Sequence, residues 1–307
     1  RAVFAARREP VGVNLKTHSG ISFTGALIFA CALCLLCAQG AQLRVATWNV
    51  RNYNTCDRVV GGVFRRDYPK PETEKAALRA VLHEINADII VFQEMGGPLF
   101  LEELRRDLKR DGLNYPHANS VQGADPARML AILSRVPIVE FKAHAPLRAE
   151  SGKTVARGLL EAVFETQGTR WHLFALHLKS RVNAQKGDPK AQYQRHGEAL
   201  ALNKIVQACP ADYVVAGDFN DNARSTTLRV FIGDDKQPGH CRPLDARDNR
   251  GEIWTHFFAG GERYERFDFL LCSPAMHTRA RSQAHIADSP LVLKASDHRP
   301  VWADFLF

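Results

Sequence analysis

The sequence lacks internal repeats and low-complexity linkers, and it contains only seven cysteines in 307 residues. Beyond residue 40 there is no CxxC motif or Cys/His spacing of the kind that zinc-binding modules use, which excludes those modules. A chain with no linker to divide it is expected to form one large domain. Its 45% hydrophobic and 24% charged residues can bury a full core, which excludes a disordered or fibrous protein.

One long apolar run without charge stands near the N-terminus, from residue 21 to residue 38. It leads into Ala38-Gln39-Gly40, with small residues at the two positions that a signal peptidase reads. We therefore predict that residues 1–40 are upstream residues and a secretory signal peptide, cleaved near Gly40. The protein would then be exported, to a periplasmic or extracellular location. A transmembrane anchor is the alternative, because the run approaches the length of a membrane span.

The segment after residue 40 keeps a positive charge and four cysteines. Removal of four Lys/Arg and one Glu lowers the formal net charge from +8 to +5. A positive balance favours an anionic partner such as nucleic acid or a phosphorylated surface. Export permits disulfides, and four cysteines allow three pairings, among which the sequence does not choose. The four are Cys56, Cys209, Cys241 and Cys272, and a buried free thiol is the alternative for Cys209 and Cys272.

From Leu43 onward, short apolar runs alternate with amphipathic stretches, which predicts an α/β architecture. The predicted strands are 43–48, 89–92, 129–133, 158–164, 171–176, 213–216, 254–258, 267–271 and 301–305. Many are apolar throughout, as strands covered on both faces should be. Helices are predicted to begin at Pro71, at Pro98 and at Asp188-Pro189, the last running to about Ala208.

Polar side chains recur at the ends of these apolar strands. Asn49, Glu94, His177 and Asp218 each follow such a run. Strand ends gathered at one edge of a sheet form a natural site, because the backbone is rigid while the last side chain faces a crevice. If the chain stays extended after Asp218, then Asp218 and Asn220 share one face. An Asx-rich turn is an equal alternative for that segment.

A carboxylate and an imidazole also precede the last strand, as Asp297-His298. Asp268 lies inside an apolar run, where a carboxylate is costly to bury without a partner. The imidazole of His298 is one suitable partner, and Arg266 is a competing one that would make the pair structural. The oxygens of Asn49, Glu94, Asp218, Asn220 and Asp297 are hard ligands, so we predict a Mg²⁺ site that Mn²⁺ could also occupy.

Six motifs in order resemble those of the endonuclease/exonuclease/phosphatase superfamily, in a deoxyribonuclease I-like, exported bacterial form. The motifs are Thr47-Trp48-Asn49-Val50, Phe92-Gln93-Glu94, Leu176-His177-Leu178-Lys179, Gly217-Asp218-Phe219-Asn220-Asp221, Arg266-Phe267-Asp268-Phe269-Leu270-Leu271 and Ser296-Asp297-His298-Arg299-Pro300-Val301. The resemblance implies that residues 41–307 are one catalytic domain of that family. It also implies a four-layer αββα sandwich of two packed mixed β-sheets flanked by helices.

For the metal, the resemblance implies that Glu94 is the principal ligand, with Asn49 and Asp297 in support.

The sequence departs from the motifs of the repair branch of the family at two positions. Arg51 stands where abasic-site repair enzymes carry an acid, and His177 stands where they carry a tyrosine. The chain is therefore more similar to the deoxyribonuclease I, extracellular nuclease and sphingomyelinase branches.

For catalysis, the resemblance implies five further roles. Asp218 would orient or activate the attacking water, and Asn220 would hold the phosphate. His298, positioned by Asp268, would contact or protonate the phosphoryl group. His177 would bind a phosphate oxygen. Whether Asp218 or His298 takes the proton of the water stays open.

We accordingly predict an exported, Mg²⁺-dependent phosphodiesterase that acts as an endonuclease or exonuclease on nucleic acid, with no stable protein partner. The alternative is a sphingomyelinase-like or inositol-lipid hydrolase that acts on a phospholipid head group. Such an enzyme needs apolar residues at a loop tip to reach a membrane, and Phe257-Phe258 is the only tip of this kind that we predict. A non-catalytic binding protein of the same fold is a third hypothesis, which the intact acid, amide and histidine set disfavours.

Overall fold

The computed structural model of the chain describes residues 40–182, 186–234 and 240–307, and two β-sheets form most of their framework. Residues Ala41–Phe307 make one compact unit. The predicted signal peptide falls on residues 1–39, outside the described residues, with only Gly40 inside them. No helix among the described residues has the length and apolar character to cross a membrane.

Helices lie between some of the strands, and elsewhere several strands follow one another directly. The strands are β1 Gln42–Tyr53, β2 Thr55–Val60, β3 Val63–Pro69, β4 Ile89–Met95, β5 His117–Val121, β6 Met129–Ser134, β7 Glu140–His144, β8 Leu159–Thr166, β9 Thr169–His177, β10 Asp212–Asp218, β11 Arg242–Pro243, β12 Asp245–Arg247, β13 His256–Phe258, β14 Arg263–Glu265, β15 Asp268–Cys272, β16 Gln283–Ile286 and β17 Val301–Leu306. The α-helices are α1 Glu72–Ile85, α2 Pro98–Arg110, α3 Gln192–Gln207, α4 Thr226–Ile232, α5 Pro274–Arg279 and α6 Val292–Ala295.

Both large sheets are mixed, as predicted. The seven-stranded sheet has the order β12-β16-β17-β1-β4-β6-β5, and the six-stranded sheet has the order β11-β15-β10-β9-β8-β7. In the first, β1 is parallel to β4 and antiparallel to β17. In the second, β10 is parallel to β9 and antiparallel to β15. In each sheet two parallel strands therefore end at the edge where an antiparallel neighbour begins.

Three apolar cores separate four layers. The inner core joins the facing sheets, with Val45 and Val91 from one and Leu173 and Val214 from the other. A second core packs α1 and α2 on the outer face of the seven-stranded sheet, and a third packs α3 and α4 on the outer face of the six-stranded sheet. Because strands such as β4 contact apolar neighbours on both faces, their sequences are apolar throughout. The predicted four-layer αββα sandwich is confirmed.

The structure departs from the predicted elements in several places, including short strands such as β5 and β7 that the sequence does not predict. The strand predicted at 254–258 is observed only from His256 to Phe258, and Trp254 precedes it, with its ring packed against the Arg299 guanidinium at 4.1 Å and against Tyr264 at 5.0 Å. An unpredicted hairpin, formed by β2 and β3, turns at Gly61 and Gly62, both in the left-handed region that a tight hairpin turn needs.

The prediction that Phe257-Phe258 is the only apolar loop tip is wrong, because the β2–β3 hairpin also ends in exposed apolar side chains. Val59, Val63 and Phe64 are 67%, 54% and 59% exposed at its end. Phe257 instead stacks on Tyr264 with 4.8 Å between ring centroids.

The four cysteines after residue 40 form no disulfide with one another.

Candidate active site

Six strand ends bring their polar side chains to one edge of the sandwich. Asn49 and Glu94 come from the parallel pair β1 and β4, and His177 and Asp218 end the parallel pair β9 and β10. Asp268 begins β15, and His298 lies just before β17. A cavity of about 430 Å³ at this edge is lined by Asn49, Glu94, Asp218, Asn220, Asp297 and His298, among others. The structure thus brings together the residues that the sequence singled out.

The imidazole of His298 is held by a buried carboxylate. Its Nδ1 lies 2.8 Å from Oδ2 of Asp268, a fully buried residue. Burial opposes the charged form of the ring, but the negative charges of Asp268 and Asp218 outweigh it and raise the pKa of His298 to about 10. The competing partner, Arg266, instead donates to the Leu244 carbonyl at 3.0 Å. Nε2 of a charged His298 is therefore a donor.

The backbone around His298 is fixed by groups far away in sequence. Its amide donates to Oγ of Ser296 at 3.1 Å, and its carbonyl accepts from Nε1 of Trp48 at 2.9 Å. Ser296 in turn donates to the carbonyl of Asn49 at 2.7 Å. These bonds join the loop before β17 to residues 48 and 49 of β1.

Asp218 accepts three hydrogen bonds at the centre of the site. Asn49 Nδ2 donates to its Oδ2 at 3.0 Å, while the amide and Nδ2 of Asn220 donate at 2.7 and 3.2 Å. Burial raises the pKa of Asp218 to about 7, with the charge of Asp268 adding to the shift and that of His298 opposing it. Asn220 has a φ of 52°, so the segment is an Asx turn as well as part of the site.

His177 is a buried neutral group between the two acids. Its Nε2 lies 3.5 Å from Oδ2 of Asp218 and 3.9 Å from Oε1 of Glu94. Burial, together with the positive charges of Arg157 and His298, lowers the pKa of His177 well below its usual range. Its Nδ1 has no hydrogen-bond partner within the described part of the chain. A neutral ring can donate one hydrogen bond to a phosphate oxygen.

Glu94 presents a carboxylate with few protein partners. The amide of Asn52 donates to its Oε2 at 3.0 Å, and Nε of Arg128 lies 3.9 Å from the same oxygen. Glu94, Arg51 and Asn52 all have φ between 45° and 61°, so this corner is built on left-handed backbone. Asp297 lines the same cavity, with Oδ2 at 3.6 Å from Nε of Arg51.

The sequence matches a family model described as Endonuclease/Exonuclease/phosphatase family over residues 46–298. The chain belongs to this family. Its members are phosphoesterase hydrolases that depend on divalent metal ions, so the chain is a phosphoester hydrolase by class. A search of curated protein sequences found no match.

Solved structures support the fold. A family protein from Bacteroides thetaiotaomicron is 19% identical with a TM-score of 0.61, covering 88% of this chain and 99% of that one. Sphingomyelinase C from Streptomyces griseocarneus is 19% identical with a TM-score of 0.61, covering 86% and 99%. D. rerio TDP2, complexed with a single-strand DNA product, is 18% identical with a TM-score of 0.58, covering 86% and 99%. At such identities the likeness shows the fold alone.

Several cavity residues of this family member carry no signal in the sequence. His256 lies beside the catalytic histidine candidate, with 4.6 Å between its ring centroid and that of His298. Burial and the charge of His298 lower the pKa of His256 to about 4. The rim adds the cations Arg181, Lys190 and Arg263 from loops and from the short strand β14. None of these residues follows a long apolar strand, which is why the strand-end pattern does not detect them.

Two further basic residues have structural partners. Nη2 of Arg157 lies 3.2 Å from Oδ2 of Asp125, an ion pair inside the domain. The ammonium of Lys179 donates to the carbonyls of Ser180 and Val182 at 3.1 and 2.6 Å. Both side chains are therefore held by groups of the domain itself.

Proposed function

We propose that this protein is an exported, Mg²⁺-dependent phosphodiesterase that hydrolyses nucleic-acid phosphodiester bonds. The observation that carries the proposal is the pair of opposed walls in one cavity. One wall holds the His298–Asp268 pair, and the other holds the open carboxylate of Glu94. Such an arrangement suits a phosphoryl group bound between a cation and a protonated imidazole.

The residues of the Glu94 wall fit a divalent cation. Glu94, Asn49 and Asp297 offer hard oxygens on one cavity, and the contacts of Glu94 with Arg128 and His177 are both 3.9 Å, too long to be hydrogen bonds. Glu94 would be the principal ligand, with Asn49 and Asp297 in support. Bound there, Mg²⁺ would act as a Lewis acid that polarises a phosphoryl oxygen.

A second cluster of side chains that could bind a metal fits a cation less well. Ligand atoms of Asp218, Asp268 and His298 lie within 4.8 Å of one another. Both ring nitrogens of a charged imidazole are donors, so His298 has no lone pair for a metal while its ring is charged. We therefore assign this group to proton handling.

The side chains around the cavity have complementary parts in hydrolysis. His298 has its Nδ1 bonded to Asp268, so its Nε2 faces the cavity and would donate to a phosphoryl oxygen or the leaving group. Asp218 lies 3.8 Å from that Nε2 and would orient the water and take its proton. The ring of His177 would hold another phosphate oxygen. Nδ2 of Asn220 already donates to the Leu178 carbonyl and to Asp218, so Asn220 would position Asp218 rather than hold the phosphate.

The rim of the cavity supports a nucleic-acid substrate. Arg51, Lys190 and Arg263 line it, and the Arg263 guanidinium lies over the ring of Phe258 at 5.0 Å. Phe258 is 43% exposed, which leaves part of its ring open for a base to stack on. Cations that follow a phosphate backbone, interleaved with an aromatic ring, are typical of single-strand binding.

A phospholipid head group is the second candidate substrate. A groove next to the cavity is lined by Arg51, Phe257, Phe258 and Leu293, and Leu293 is 48% exposed. Exposed apolar side chains beside a cationic rim also suit a lipid with a phosphodiester head group. The similarity of fold to a sphingomyelinase C is consistent with this candidate.

One set of assays tests the proposal. Residues 41–307 would be incubated with DNA, RNA, sphingomyelin and bis-nitrophenyl phosphate, in Mg²⁺ or in EDTA, beside a His298→Ala variant. We expect nucleic acid to be cleaved in Mg²⁺ and not in EDTA, with the variant inactive. Cleavage that persists in EDTA would exclude the mechanism, and turnover of sphingomyelin alone would favour the second candidate.

Export has its own test, which does not depend on the substrate. The inference rests on the uncharged run at residues 21–38 and the small residues before residue 41. Expression of the whole chain in a bacterial host, followed by fractionation and N-terminal sequencing, should give an exported product that begins close to Ala41. An uncleaved product in the membrane fraction would support the anchor instead.

A further inference from the structure

The hairpin of β2 and β3 ends in an apolar tip that the domain does not cover. Val59 pairs with Phe64 and Val60 pairs with Val63 across the Gly61-Gly62 turn. All residues from 55 to 69 are exposed or half-buried. Two-stranded hairpins are marginally stable alone, and exposed apolar side chains in a cluster commonly mark an interaction surface.

The residues of the hairpin are ordered by polarity from tip to base. Immediately behind the apolar tip, Arg58 pairs with Arg65, and Arg66 follows. Arg65 and Arg66 make no ion pair with any described residue. Farther from the tip come Asp57 and Asp67, joined by a hydrogen bond of 3.1 Å from the Asp67 amide to Oδ1 of Asp57. The sequence of layers is apolar, cationic and then acidic.

The base of the hairpin is fixed to the active-site edge. The guanidinium of Arg58 donates to the carbonyls of Tyr68, Asn52 and Asn54 at 2.9, 3.1 and 3.0 Å. The amide of Asn52 holds Oε2 of Glu94. A partner bound to the tip would therefore also be anchored to the wall of the cavity.

We propose that this hairpin is an interfacial arm that docks on an anionic lipid surface. The tip lies two residues beyond the Arg58–Arg65 pair, which is roughly 7 Å at about 3.3 Å per residue. This length matches the depth of about 5 to 10 Å to which interfacial segments bury their apolar side chains. Arg65 and Arg66 would then lie at the level of the lipid phosphates. The proposal goes beyond the hydrolytic function, because it holds for either substrate class.

The order of the layers favours lipid over nucleic acid as the partner. The six residues from Val59 to Phe64 carry no charge, so they offer nothing to a phosphate backbone. In a nucleic-acid groove, Asp57 and Asp67 would also lie near phosphates on both sides. At a membrane, the same acids stay outside the layer of head-group phosphates, while the apolar tip reaches the acyl chains.

Vesicle binding tests the proposal without any hydrolysis. Residues 41–307 form the compact unit and omit the apolar run at 21–38, which would itself bind lipid. This protein would be sedimented in EDTA with vesicles of phosphatidylcholine, with or without phosphatidylglycerol. We expect binding that requires phosphatidylglycerol. A Val59→Ser/Val63→Ser/Phe64→Ser variant should bind at least about 30-fold more weakly, because it lacks the three apolar side chains that the membrane would bury.

Two more variants locate the contact. Arg65→Gln/Arg66→Gln should weaken binding about fivefold for each arginine removed. In Phe64→Trp, brominated lipids should quench fluorescence beyond the quenching of the four native tryptophans. As a matched control, Leu99→Ser/Val139→Ser removes exposed apolar residues elsewhere and should bind vesicles as the wild type does.

The outcomes separate this proposal from the proposed function. The tip variant should hydrolyse bis-nitrophenyl phosphate at the wild-type rate, which also shows that it is folded. Equal vesicle binding by wild type and tip variant, or no binding by the wild type, would overturn the proposal. If the tip variant instead loses affinity for duplex DNA while vesicles bind neither protein, the arm contacts nucleic acid and the lipid assignment is wrong. If no substrate is hydrolysed but tip-dependent vesicle binding remains, only the hydrolytic function fails.

Discussion

On the His298 side of the cavity the protein supplies most of its own partners, whereas on the Glu94 side it leaves a carboxylate facing the cavity. His298 is bonded to Asp268, and Asp218 accepts three hydrogen bonds. Glu94 has one amide donor, from Asn52, on a strained left-handed corner. This asymmetry supports the proposal that one wall is preorganised for proton transfer and the other binds a cation.

The strongest test of this comparison removes the imidazole. His298→Ala should lower kcat at saturating Mg²⁺ by about 1,000-fold, because the proton donor to the phosphoryl group is lost. Its affinity for Mn²⁺, followed by electron paramagnetic resonance, should stay unchanged. His83→Gln, which alters an exposed histidine in α1, is the matched control. A large loss of Mn²⁺ binding in His298→Ala would mean that the two walls are not separate in function.

The reciprocal test alters the other wall. Glu94→Gln should weaken Mn²⁺ binding by about 100-fold. This is the upper end of the loss in metal affinity when a residue that only hydrogen-bonds to a metal ligand is mutated, and Glu94 would be a ligand itself. Activity should return in part at high Mg²⁺. Glu165→Gln, at an exposed position at the end of β8, is the control. Unchanged metal affinity in Glu94→Gln would remove this residue from the metal site.

The charge of the imidazole is the next feature to test. Asp268→Asn should lower kcat by about 30-fold and shift the pKa of His298 downward, as measured by NMR titration in EDTA. The sign for stability follows from the raised pKa of about 10. The stabilising contribution of His298 is fully present below its unfolded pKa of about 6.5 and is lost as pH rises toward 10. The stability difference between wild type and variant should therefore shrink from pH 6 to pH 10, and a difference that grows would contradict the assignment.

The smallest expected effect concerns the support of the Glu94 wall. Arg58→Ala removes the donor to the carbonyls of Asn52 and Asn54, so the Asn52 amide should hold Glu94 less firmly. We expect the Mg²⁺ concentration for half-maximal activity and the Kd for Mn²⁺ to rise about fivefold, with kcat at saturating Mg²⁺ nearly kept. Arg66→Ala on the same hairpin is the control. A fall in kcat with unchanged Mn²⁺ affinity would place Arg58 outside the support of the metal wall.

The strand-end residues could be predicted because their signal is local. An apolar run followed by Asn49, Glu94, His177 or Asp218 is visible in a few adjacent residues, and the same runs predict the strands. The sequence limits the hydrogen-bond partner of Asp268 to His298 or Arg266. The structure shows that the partner is His298. His256 and Arg263 stayed hidden, because a short hairpin brings them to the cavity without a periodic pattern of its own.

The order of the motifs, the kind of ligands and the α/β class could all be inferred from the sequence, because they depend on local apolar runs and on side-chain chemistry. The αββα sandwich was implied by the resemblance of the motifs to the family. The hydrogen bonds from Asn49 to Asp218 and from Trp48 to His298 could not be predicted, because they join residues 169 and 250 positions apart in the chain. The exposure of the β2–β3 hairpin at the active-site edge likewise emerges only from the fold. Such features depend on which surfaces the packed sheets leave uncovered, and burial is a property of the whole fold.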